Sequence, residues 1–269
     1  DVDGVTTLRG QIYPIEDTPV IIKKGIHLTL FQRIVKRLFD IVFSLAASVI
    51  VLPVLLICAI AIKLDSPGPV IYKQERYTLH KKIFKVYKLR TMYTDAEKGG
   101  ARFAAANDPR ITRVGRVLRA LRLDELPQIF NILGGSMSVV GPRPERPIFA
   151  DVFSESVASY DMRYCLKAGL TGYAQVYGKY NSRVSDKILM DITYGTTFSL
   201  LLDIKLVLLT IKTMFIKSAT EGVDDERDTA LSTPDKEILR RIHTERFMEQ
   251  KTPSAEDEKE NAQEPASRS

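Results

Sequence analysis

Residues 41–62, IVFSLAASVIVLPVLLICAIAI, form the longest stretch of this 269-residue chain without a charged side chain. As a helix, this segment would be about 33 Å long, which is enough to cross the hydrocarbon core of a bilayer. A buried helix of a soluble protein is the alternative. The length and near-complete apolarity of the segment favour a membrane helix, and this segment decides the fold class.

Basic residues lie on both sides of this segment. They are Arg33, Lys36 and Arg37 before it, and Lys63, Lys73, Arg76, Lys81 and Lys82 after it. Basic flanks mark the cytoplasmic side of a membrane. Pro53, near the middle, removes a helical hydrogen bond and permits a kink. We therefore predict a re-entrant helix over residues 36–64 that bends at Pro53 and returns to the same face. A spanning helix is the alternative.

Charge is distributed unevenly along the chain. The net charge is +6, but residues 221–269 carry 14 acidic and 8 basic side chains, which leaves +12 on residues 1–220. A basic body indicates anionic partners such as phospholipid headgroups, phosphorylated substrates or nucleic acid, although a solvated basic surface is an alternative. The cysteines and histidines show no zinc-site spacing, so oxygen ligands and hence Mg²⁺ are favoured for any metal.

The patterning after the apolar segment predicts a mainly α fold with a small β element. Short strands are expected at residues 70–72 and 83–89. Apolar residues recur at helical spacing over residues 111–121, and a short helix over residues 127–133 ends at Gly134-Gly135. Residues 198–215 are strongly apolar and predict an amphipathic helix in the membrane interface, with a core helix as the alternative.

The most informative stretch for chemistry begins with arginines at every third position, namely Arg110, Arg113, Arg116, Arg119 and Arg122. This stripe, on a predicted helix, ends at the acidic pair Asp124-Glu125, just before Pro127 at a helix start. A lone acid there is commonly a cap. A pair of acids beside arginines and a phosphate-binding helix start indicates a functional site instead.

A proline-rich loop follows as GPRPERP at residues 141–147. Its prolines would hold Arg143 and Arg146 in a stiff, extended backbone, and guanidinium groups suit bidentate phosphate contacts. A purely structural corner is the alternative. Carboxylates, arginines and a neighbouring membrane segment together predict phosphoryl chemistry at the bilayer surface.

Six motifs follow one another between residues 36 and 215. They are KRLFD (36–40), DSPGPV (65–70), FKVYKLRTM (84–92), LDELPQ (123–128), GPRP (141–144) and GLTGYAQV (169–176). In these motifs the chain resembles the bacterial sugar transferases, which are monotopic polyprenyl-phosphate phosphoglycosyl transferases. The resemblance is to the catalytic domain of a large member of the exopolysaccharide type.

The resemblance implies transfer of a sugar-1-phosphate from a UDP-sugar to polyprenyl (undecaprenyl) phosphate, with release of UMP. It implies that Asp124 is the nucleophile, that Glu125 is its partner and that both serve Mg²⁺. The phosphate-binding residues that it implies are Arg119, Arg143, Lys88 and Arg90. The expected location is the cytoplasmic face of the bacterial inner membrane, with membrane phospholipids and no nucleic acid as further partners.

The expected domain organisation has three parts. Residues 1–32 are a linker or the end of a preceding domain, residues 33–217 are the catalytic domain, and residues 218–269 are an acidic, mostly flexible tail with a possible helix at 234–250. The sequence leaves open the donor sugar, the glycan pathway, the role of the tail and whether the protein is a homo-oligomer.

Two features depart from the family pattern. The turn at residues 77–80 lacks the glycines that the family often has there, and Tyr173 stands where tryptophan is usual. Two other functions are also considered. A basic membrane-surface adaptor would bind anionic lipids without catalysis, and a conventional glycosyltransferase would release UDP. The nucleotide product discriminates between these two functions and sugar-1-phosphate transfer. A nucleic-acid binder is disfavoured, because it would not need the apolar segment at residues 41–62.

Overall fold

The computed structural model describes residues 11–15, 18–22, 26–96, 108–157, 159–178 and 183–214. The helices are α1 Leu30–Asp65, α2 Arg113–Ala120, α3 Gln128–Leu133, α4 Pro147–Ser156, α5 Tyr173–Tyr177, α6 Val184–Thr197 and α7 Leu200–Met214. The strands are β1 Gln11–Ile15, β2 Thr18–Ile22, β3 Ile71–Tyr77, β4 Ile83–Leu89, β5 Ser138–Val140 and β6 Gly169–Thr171. The mainly helical fold class with small sheets is confirmed. The predicted tail and its helix at 234–250 lie outside the described residues.

The helix α1 begins earlier than the sequence predicted. Thr29 caps it, since the Thr29 hydroxyl accepts from the Gln32 amide at 3.3 Å and the Gln32 side chain accepts from the Thr29 amide at 2.9 Å. The helix then continues through Pro53 to Asp65. The sequence predicts a bend at Pro53, and the structure has helical residues on both sides of it. A proline removes only one backbone donor, so a helix can kink there without ending.

An apolar stripe runs along the outside of α1. Its exposed members are Leu30, Phe31, Ile34, Leu38, Val42, Leu45, Val49, Leu52, Leu56, Ile60 and Leu64. Their spacing of mostly three or four residues places them along one side of the helix. The helix is long and apolar enough to cross a membrane, and only 11% of its most apolar stretch is buried. A core helix of a soluble protein is mostly buried, so this surface favours membrane association.

Both halves of α1 pack against the same body of the protein. In the first half, Phe39 and Phe43 pack against the main hydrophobic core. In the second half, Cys58 and Ile62 are buried against Leu118 of α2 and the end of β4. The two ends of the apolar segment are therefore attached to one body.

Charged residues in the first half of α1 are buried because they find distant partners. Lys36 donates to Asp203 of α7 at 2.7 Å, and Tyr194 of α6 donates to the other Asp203 oxygen at 2.7 Å. Asp40 accepts from the backbone amide of Val139 in β5 at 2.9 Å. These bonds fix the start of α1 to α7 and β5, and through Asp203 to α6.

The sheets are small and tie sequence-distant motifs together. Strands β3 and β4 pair antiparallel, with Ile71 opposite Leu89. The turn between them holds His80 at φ 57° and Lys81 at φ 55°. Non-glycine residues are uncommon in this left-handed region, so the turn is made without the glycines that the family often has. Strands β5 and β6 pair in parallel.

The last described helix, α7, has one buried face and one exposed apolar face. Asp203 and Leu206 on its inner side are fully buried. The exposed apolar residues of its outer side are Leu201, Ile204, Leu208 and Ile211. The helix therefore packs against the core along one face and presents an apolar stripe along the other, which is the pattern of an interfacial helix.

Candidate active site

The acidic pair lies in a short 3-10 turn, Leu123–Glu125, between α2 and α3. The residue before the turn, Arg122, has a left-handed backbone with φ 57°. Such conformations in non-glycine residues cluster at functional sites, because the surrounding structure must hold them in place. The turn precedes α3 rather than forming its first turn, as the sequence had suggested. It presents Asp124 and Glu125 beside the end of β4.

Glu125 is held by two cations. The Lys88 ammonium of β4 and the Arg143 guanidinium of the proline-rich loop each donate to the same carboxylate oxygen, Oε1, at 2.9 Å. Only 13% of the Glu125 side chain is exposed. Burial by itself would raise its pKa, but the attraction of Arg143 and Lys88 outweighs burial and holds the pKa of Glu125 well below its usual range. Glu125 is therefore a fixed anion.

Asp124 is different, although it is the next residue. Within the part of the chain that the structure describes, no donor makes a hydrogen bond to its carboxylate. Burial and the negative charge of Glu125 raise the pKa of Asp124, and the charges of Lys88, Arg119 and Arg122 oppose this. Two neighbouring carboxylates with pKa values pushed in opposite directions are typical of an acid or nucleophile and its partner.

Close backbone packing positions the proline-rich loop that carries Arg143. A Cβ atom on Gly169 would lie 2.1 Å from the Gly141 amide nitrogen, and one on Gly172 would lie 2.1 Å from the Gly141 carbonyl oxygen. The Gly169 amide donates to the Pro142 carbonyl at 2.9 Å. The GPRP and GLTG motifs therefore form one unit, which needs glycine where the two backbones meet.

Arg163 is a residue of the site that the sequence did not single out. Its guanidinium donates to the Arg143 carbonyl at 3.0 Å and to the Tyr160 hydroxyl at 3.1 Å, and it pairs with Asp191 of α6 at 3.1 Å. Burial raises the pKa of Asp191 to about 6, against the attraction of Arg163. A lone arginine carries no signal in the sequence, because Arg143 and Asp191, which connect it to the site and to α6, lie 20 and 28 positions away.

Arg90 does not lie where a phosphate-binding residue was expected. Its buried guanidinium donates to the Ser66 carbonyl at 2.6 Å, to the Ser66 hydroxyl at 2.9 Å and to the Pro67 carbonyl at 2.7 Å. Arg90 thus satisfies carbonyls at the end of α1 instead of facing the Glu125 cluster, which consists of Glu125, Lys88 and Arg143. These contacts tie the strand end that carries Lys88 to the end of α1. Pro53, where the sequence predicts that the membrane helix bends, lies in the middle of α1. It is distant in the sequence from the residues of the Glu125 cluster.

The structure also divides the predicted arginine stripe. Only Arg113, Arg116 and Arg119 lie in α2, because the helix begins after Arg110 and ends before Arg122. Arg110 pairs with Asp108. The charge of Arg119 acts on Asp124, as expected of a residue at the site.

A model of the bacterial sugar transferase family matches residues 31–217, which include all six motifs. The chain belongs to the bacterial sugar transferase family. It is 43% identical over 183 residues to the UDP-N-acetylgalactosamine-undecaprenyl-phosphate N-acetylgalactosaminephosphotransferase of Aeromonas hydrophila, a match that covers 67% of this chain and 43% of that protein. It is 36% identical over 224 residues to the UDP-glucose:undecaprenyl-phosphate glucose-1-phosphate transferase of Escherichia coli strain K12, covering 81% of this chain and 48% of that protein.

This sugar transferase spans about half the length of those two relatives. A shorter relative is matched almost completely. The exopolysaccharide production protein PSS of Rhizobium leguminosarum bv. phaseoli is 41% identical over 187 residues, which are 66% of this chain and 94% of that protein. The range matched by the family model, residues 31–217, contains nearly all of α1, the Glu125 cluster and the paired glycine motifs.

A shallow cleft, open to solvent, adjoins the Glu125 cluster of this sugar transferase. It is lined by Arg76, Val86, Lys88, Glu125, Gln128, Arg143 and Pro144. No group of three potential metal ligands occurs among the described side chains. The carboxylates of Asp124 and Glu125 still fit Mg²⁺, because this ion is commonly held by one or two carboxylates together with substrate phosphates.

Proposed function

We propose that this sugar transferase moves a sugar-1-phosphate from a UDP-sugar to undecaprenyl phosphate and releases UMP. The reaction would be the first membrane step in assembling an exopolysaccharide or another glycoconjugate. Residues 33–217 are the proposed catalytic domain. The observation that carries the proposal is the Asp124 carboxylate, which lacks hydrogen bonds from the described residues and lies next to the doubly paired Glu125.

This difference between the carboxylates supports Asp124 as the nucleophile. A carboxylate that accepts two charge-assisted bonds is stabilised as an anion and is a weak nucleophile. Glu125 has such bonds, and Asp124 does not. The pKa of Asp124 is also raised by burial, which makes its carboxylate more basic. Glu125 then serves to hold Lys88 and Arg143 in place beside the reacting phosphate.

The proposed reaction has two balanced steps. In the first, an Asp124 oxygen forms a bond to the phosphorus that bears the sugar, and the bond from that phosphorus to the UMP oxygen breaks. UMP leaves with the electron pair. In the second, an oxygen of undecaprenyl phosphate attacks the same phosphorus and the Asp124 carboxylate leaves. Arg119, Lys88 and Arg143 are proposed to offset the phosphate charge during both steps.

Asp124 and Glu125 would also hold Mg²⁺, which supplies charge neutralisation for a diphosphate when it is bound. Lys88 and Arg143 donate only to Oε1 of Glu125. Among the described residues nothing donates to its second oxygen, Oε2. The carboxylate oxygens that remain without hydrogen bonds are those of Asp124 and this Oε2, and they are the candidate ligands.

We further propose that α1 enters and leaves the same face of the membrane, the cytoplasmic face of the bacterial inner membrane. Its two halves contact one body, through Phe39 and Phe43 at one end and Cys58 and Ile62 at the other. The part of the protein that both ends of α1 contact contains buried ion pairs and a polar cleft. It cannot be embedded across a bilayer and therefore lies on one side of it. A kink at Pro53 would let the middle of α1 dip into the hydrocarbon while both ends stay attached.

A donor screen tests the proposed activity. The purified protein is incubated with Mg²⁺, undecaprenyl phosphate and, one at a time, UDP-glucose, UDP-galactose and their N-acetylated amino-sugar analogues. We expect UMP release with at least one donor, together with formation of a lipid-linked diphosphate sugar. Release of UDP would identify a conventional glycosyltransferase. Release of neither nucleotide by a protein that is folded and bound to membranes would favour the adaptor.

A further inference from the structure

The short helix α3 carries two buried carboxamides, Gln128 and Asn131, and each of these residues is only 4% exposed. Asn131 serves the scaffold. Its side-chain oxygen accepts from the Tyr87 amide at 2.9 Å, and its side-chain nitrogen donates to the Lys85 carbonyl at 2.9 Å. Gln128 is different, since no described residue forms a hydrogen bond with its carboxamide. Burying a polar group without a partner is costly, so this amide indicates a place where a ligand binds.

Gln128 lines the shallow cleft beside the Glu125 cluster, together with Arg76 and Pro144. The Arg76 guanidinium donates to the Pro144 carbonyl at 3.1 Å and pairs with the Glu145 carboxylate at 3.6 Å. Arg76 therefore holds the proline-rich loop in place along the cleft. The Gln128 carboxamide, in contrast, keeps its hydrogen-bonding capacity for a ligand.

The cleft leads away from the end of α1. The Arg90 guanidinium binds the Ser66 carbonyl at the end of α1, so the nearby Lys88 lies at this end of the sheet. The register of β3 and β4 places Arg76 four residues from Lys88 along the sheet. At about 3.4 Å per residue, the two positions are separated by roughly 14 Å. The part of the cleft near Arg76 is therefore distant from the end of α1, where the proposed membrane attachment lies.

The two proposed steps decide which part of the donor fits there. In an in-line displacement the entering and leaving oxygens lie on opposite sides of phosphorus. UMP therefore leaves from the side at which the lipid phosphate later enters, and this side must be open to the membrane. The sugar is the part of the donor that stays on phosphorus through both steps. A cleft that leads away from the membrane can therefore hold it.

The lining of the cleft also suits a sugar. A hydroxyl both donates and accepts, as does a carboxamide, so one Gln128 side chain can form hydrogen bonds with two neighbouring hydroxyls. A nucleobase is commonly bound by stacking on an aromatic ring, and none of the described residues that line the cleft is aromatic.

We propose that this cleft binds the sugar of the UDP-sugar donor and that the Gln128 carboxamide forms hydrogen bonds with the sugar hydroxyls. The inference rests on the proposed transfer reaction and adds to it a residue that recognises the sugar. Lys88 and Arg143, on the same cleft, would hold the phosphate to which that sugar is attached.

Gln128→Met tests the proposal, because methionine keeps the length of the side chain and removes both polar atoms. The measurements are made in an Asp124→Asn protein, in which the first step cannot consume the donor. Isothermal titration in the presence of Mg²⁺ gives Kd for UDP, UDP-glucose, UDP-galactose and their N-acetylated amino-sugar analogues. For the sugar donor that binds most tightly, we expect Gln128→Met to raise Kd by about 5- to 10-fold, the loss expected for one or two hydrogen bonds. The Kd of UDP, which lacks the transferred sugar, should not change.

Two further variants serve as controls. Gln32→Met removes a carboxamide at the start of α1, outside the cleft, and should change neither Kd. Gln128→Asn keeps the amide but withdraws it by one methylene, so it should reproduce the selective loss even if thermal unfolding shows that the methionine variant is unstable. Equal weakening of UDP and the sugar donor, or no weakening of either, would overturn the proposal.

The donor screen separates this inference from the proposed reaction. If UMP is released but Gln128→Met weakens UDP as strongly as the sugar donor, the assignment of the cleft to the sugar is wrong and the transfer reaction stands. If no donor releases UMP but Gln128→Met still weakens the sugar-bearing ligands selectively, the transfer reaction is wrong and the sugar-binding cleft stands.

Discussion

Asp124 and Glu125 are neighbours in one 3-10 turn, yet hydrogen bonds from Lys88 and Arg143 reach only Glu125. We predict that Asp124→Asn lowers turnover by more than about 10³-fold while leaving the fold intact, because an amide of the same size cannot attack phosphorus. Glu125→Gln should lower turnover by about 10²-fold, since it weakens the hold on both cations. Steady-state UMP release and circular dichroism measure the two effects. Near-normal turnover by purified Asp124→Asn would exclude it as the nucleophile.

The pH dependence of turnover follows from the same charges. A carboxylate nucleophile must be ionised, so activity is lost as the pH falls through the pKa of Asp124. Lys88 lowers that pKa and Glu125 raises it. We therefore expect Lys88→Met to move the acid limb of kcat/KM to higher pH, and Glu125→Gln to move the residual acid limb to lower pH. Lys85→Met, an exposed change on the same strand, should not move it. Shifts in the opposite directions would contradict the assignment.

Arg163 is expected to act through Arg143. Arg163→Lys can keep the ion pair with Asp191, but one ammonium cannot also reach the Arg143 carbonyl in the same geometry. We predict that kcat/KM for the UDP-sugar falls by about 10- to 100-fold, comparable to losses at outer residues that orient a site. Tyr160→Phe removes another partner of the same guanidinium and should have a much smaller effect. Equal losses in both variants would indicate a general packing defect.

At the scale of single elements, local patterns located α1, α2, α3 and α7, but they gave β3 as residues 70–72 where it runs from Ile71 to Tyr77, and they gave nothing for α4, α5 or α6. The sequence predicted β4 at its observed bounds and the short helix before Gly134-Gly135. It did not predict that α1 starts at Leu30, because that start depends on the capping box of Thr29 and Gln32 and not on the apolar segment. Nor did it predict that Lys36 is buried, because its partner Asp203 is 167 positions away and cannot be read from a local pattern.

The topology of α1 is the prediction that belongs to this scale. Single cysteines at Gln32 and at Ser66, in a protein without Cys58 and Cys165, should both be labelled from the cytoplasmic side by a reagent that does not cross membranes. Labelling from opposite sides would establish a spanning helix. Pro53→Leu restores a backbone hydrogen bond and should favour a straight, spanning helix. That variant should show the two cysteines on different sides more often than the unaltered chain.

For the molecule as a whole, the motifs predicted which residues form the site but not how they meet. Arg143 is positioned because β5 pairs in parallel with β6 and because glycines let the two motif backbones touch. Lys88 is positioned because Asn131 of α3 bonds the backbone of β4 at Tyr87 and Lys85. Arg90 belongs to a motif as well, yet it binds carbonyls at the end of α1. A sequence motif indicates that a residue is required. Only the contacts in the structure show whether that residue faces the substrate or stabilises the fold.

The proposed chemistry predicts that the equilibrium constant of the overall reaction is close to unity. One phosphoanhydride bond breaks in the UDP-sugar and one forms in the lipid product. The equilibrium constant should therefore lie within about two powers of ten of unity, or roughly 1–3 kcal/mol. Added UMP should drive the enzyme backwards and regenerate UDP-sugar from the lipid-linked product.

The central claim is that Asp124 forms a covalent intermediate, and isotope exchange without the lipid acceptor tests it most directly. The delipidated protein is incubated with its UDP-sugar, labelled UMP and Mg²⁺. Because the first step is complete in itself, label should enter the UDP-sugar, and Asp124→Asn should abolish this exchange. Absence of exchange at enzyme concentrations that support full turnover with lipid would mean direct attack by the lipid phosphate. That result would remove Asp124 from the role of nucleophile.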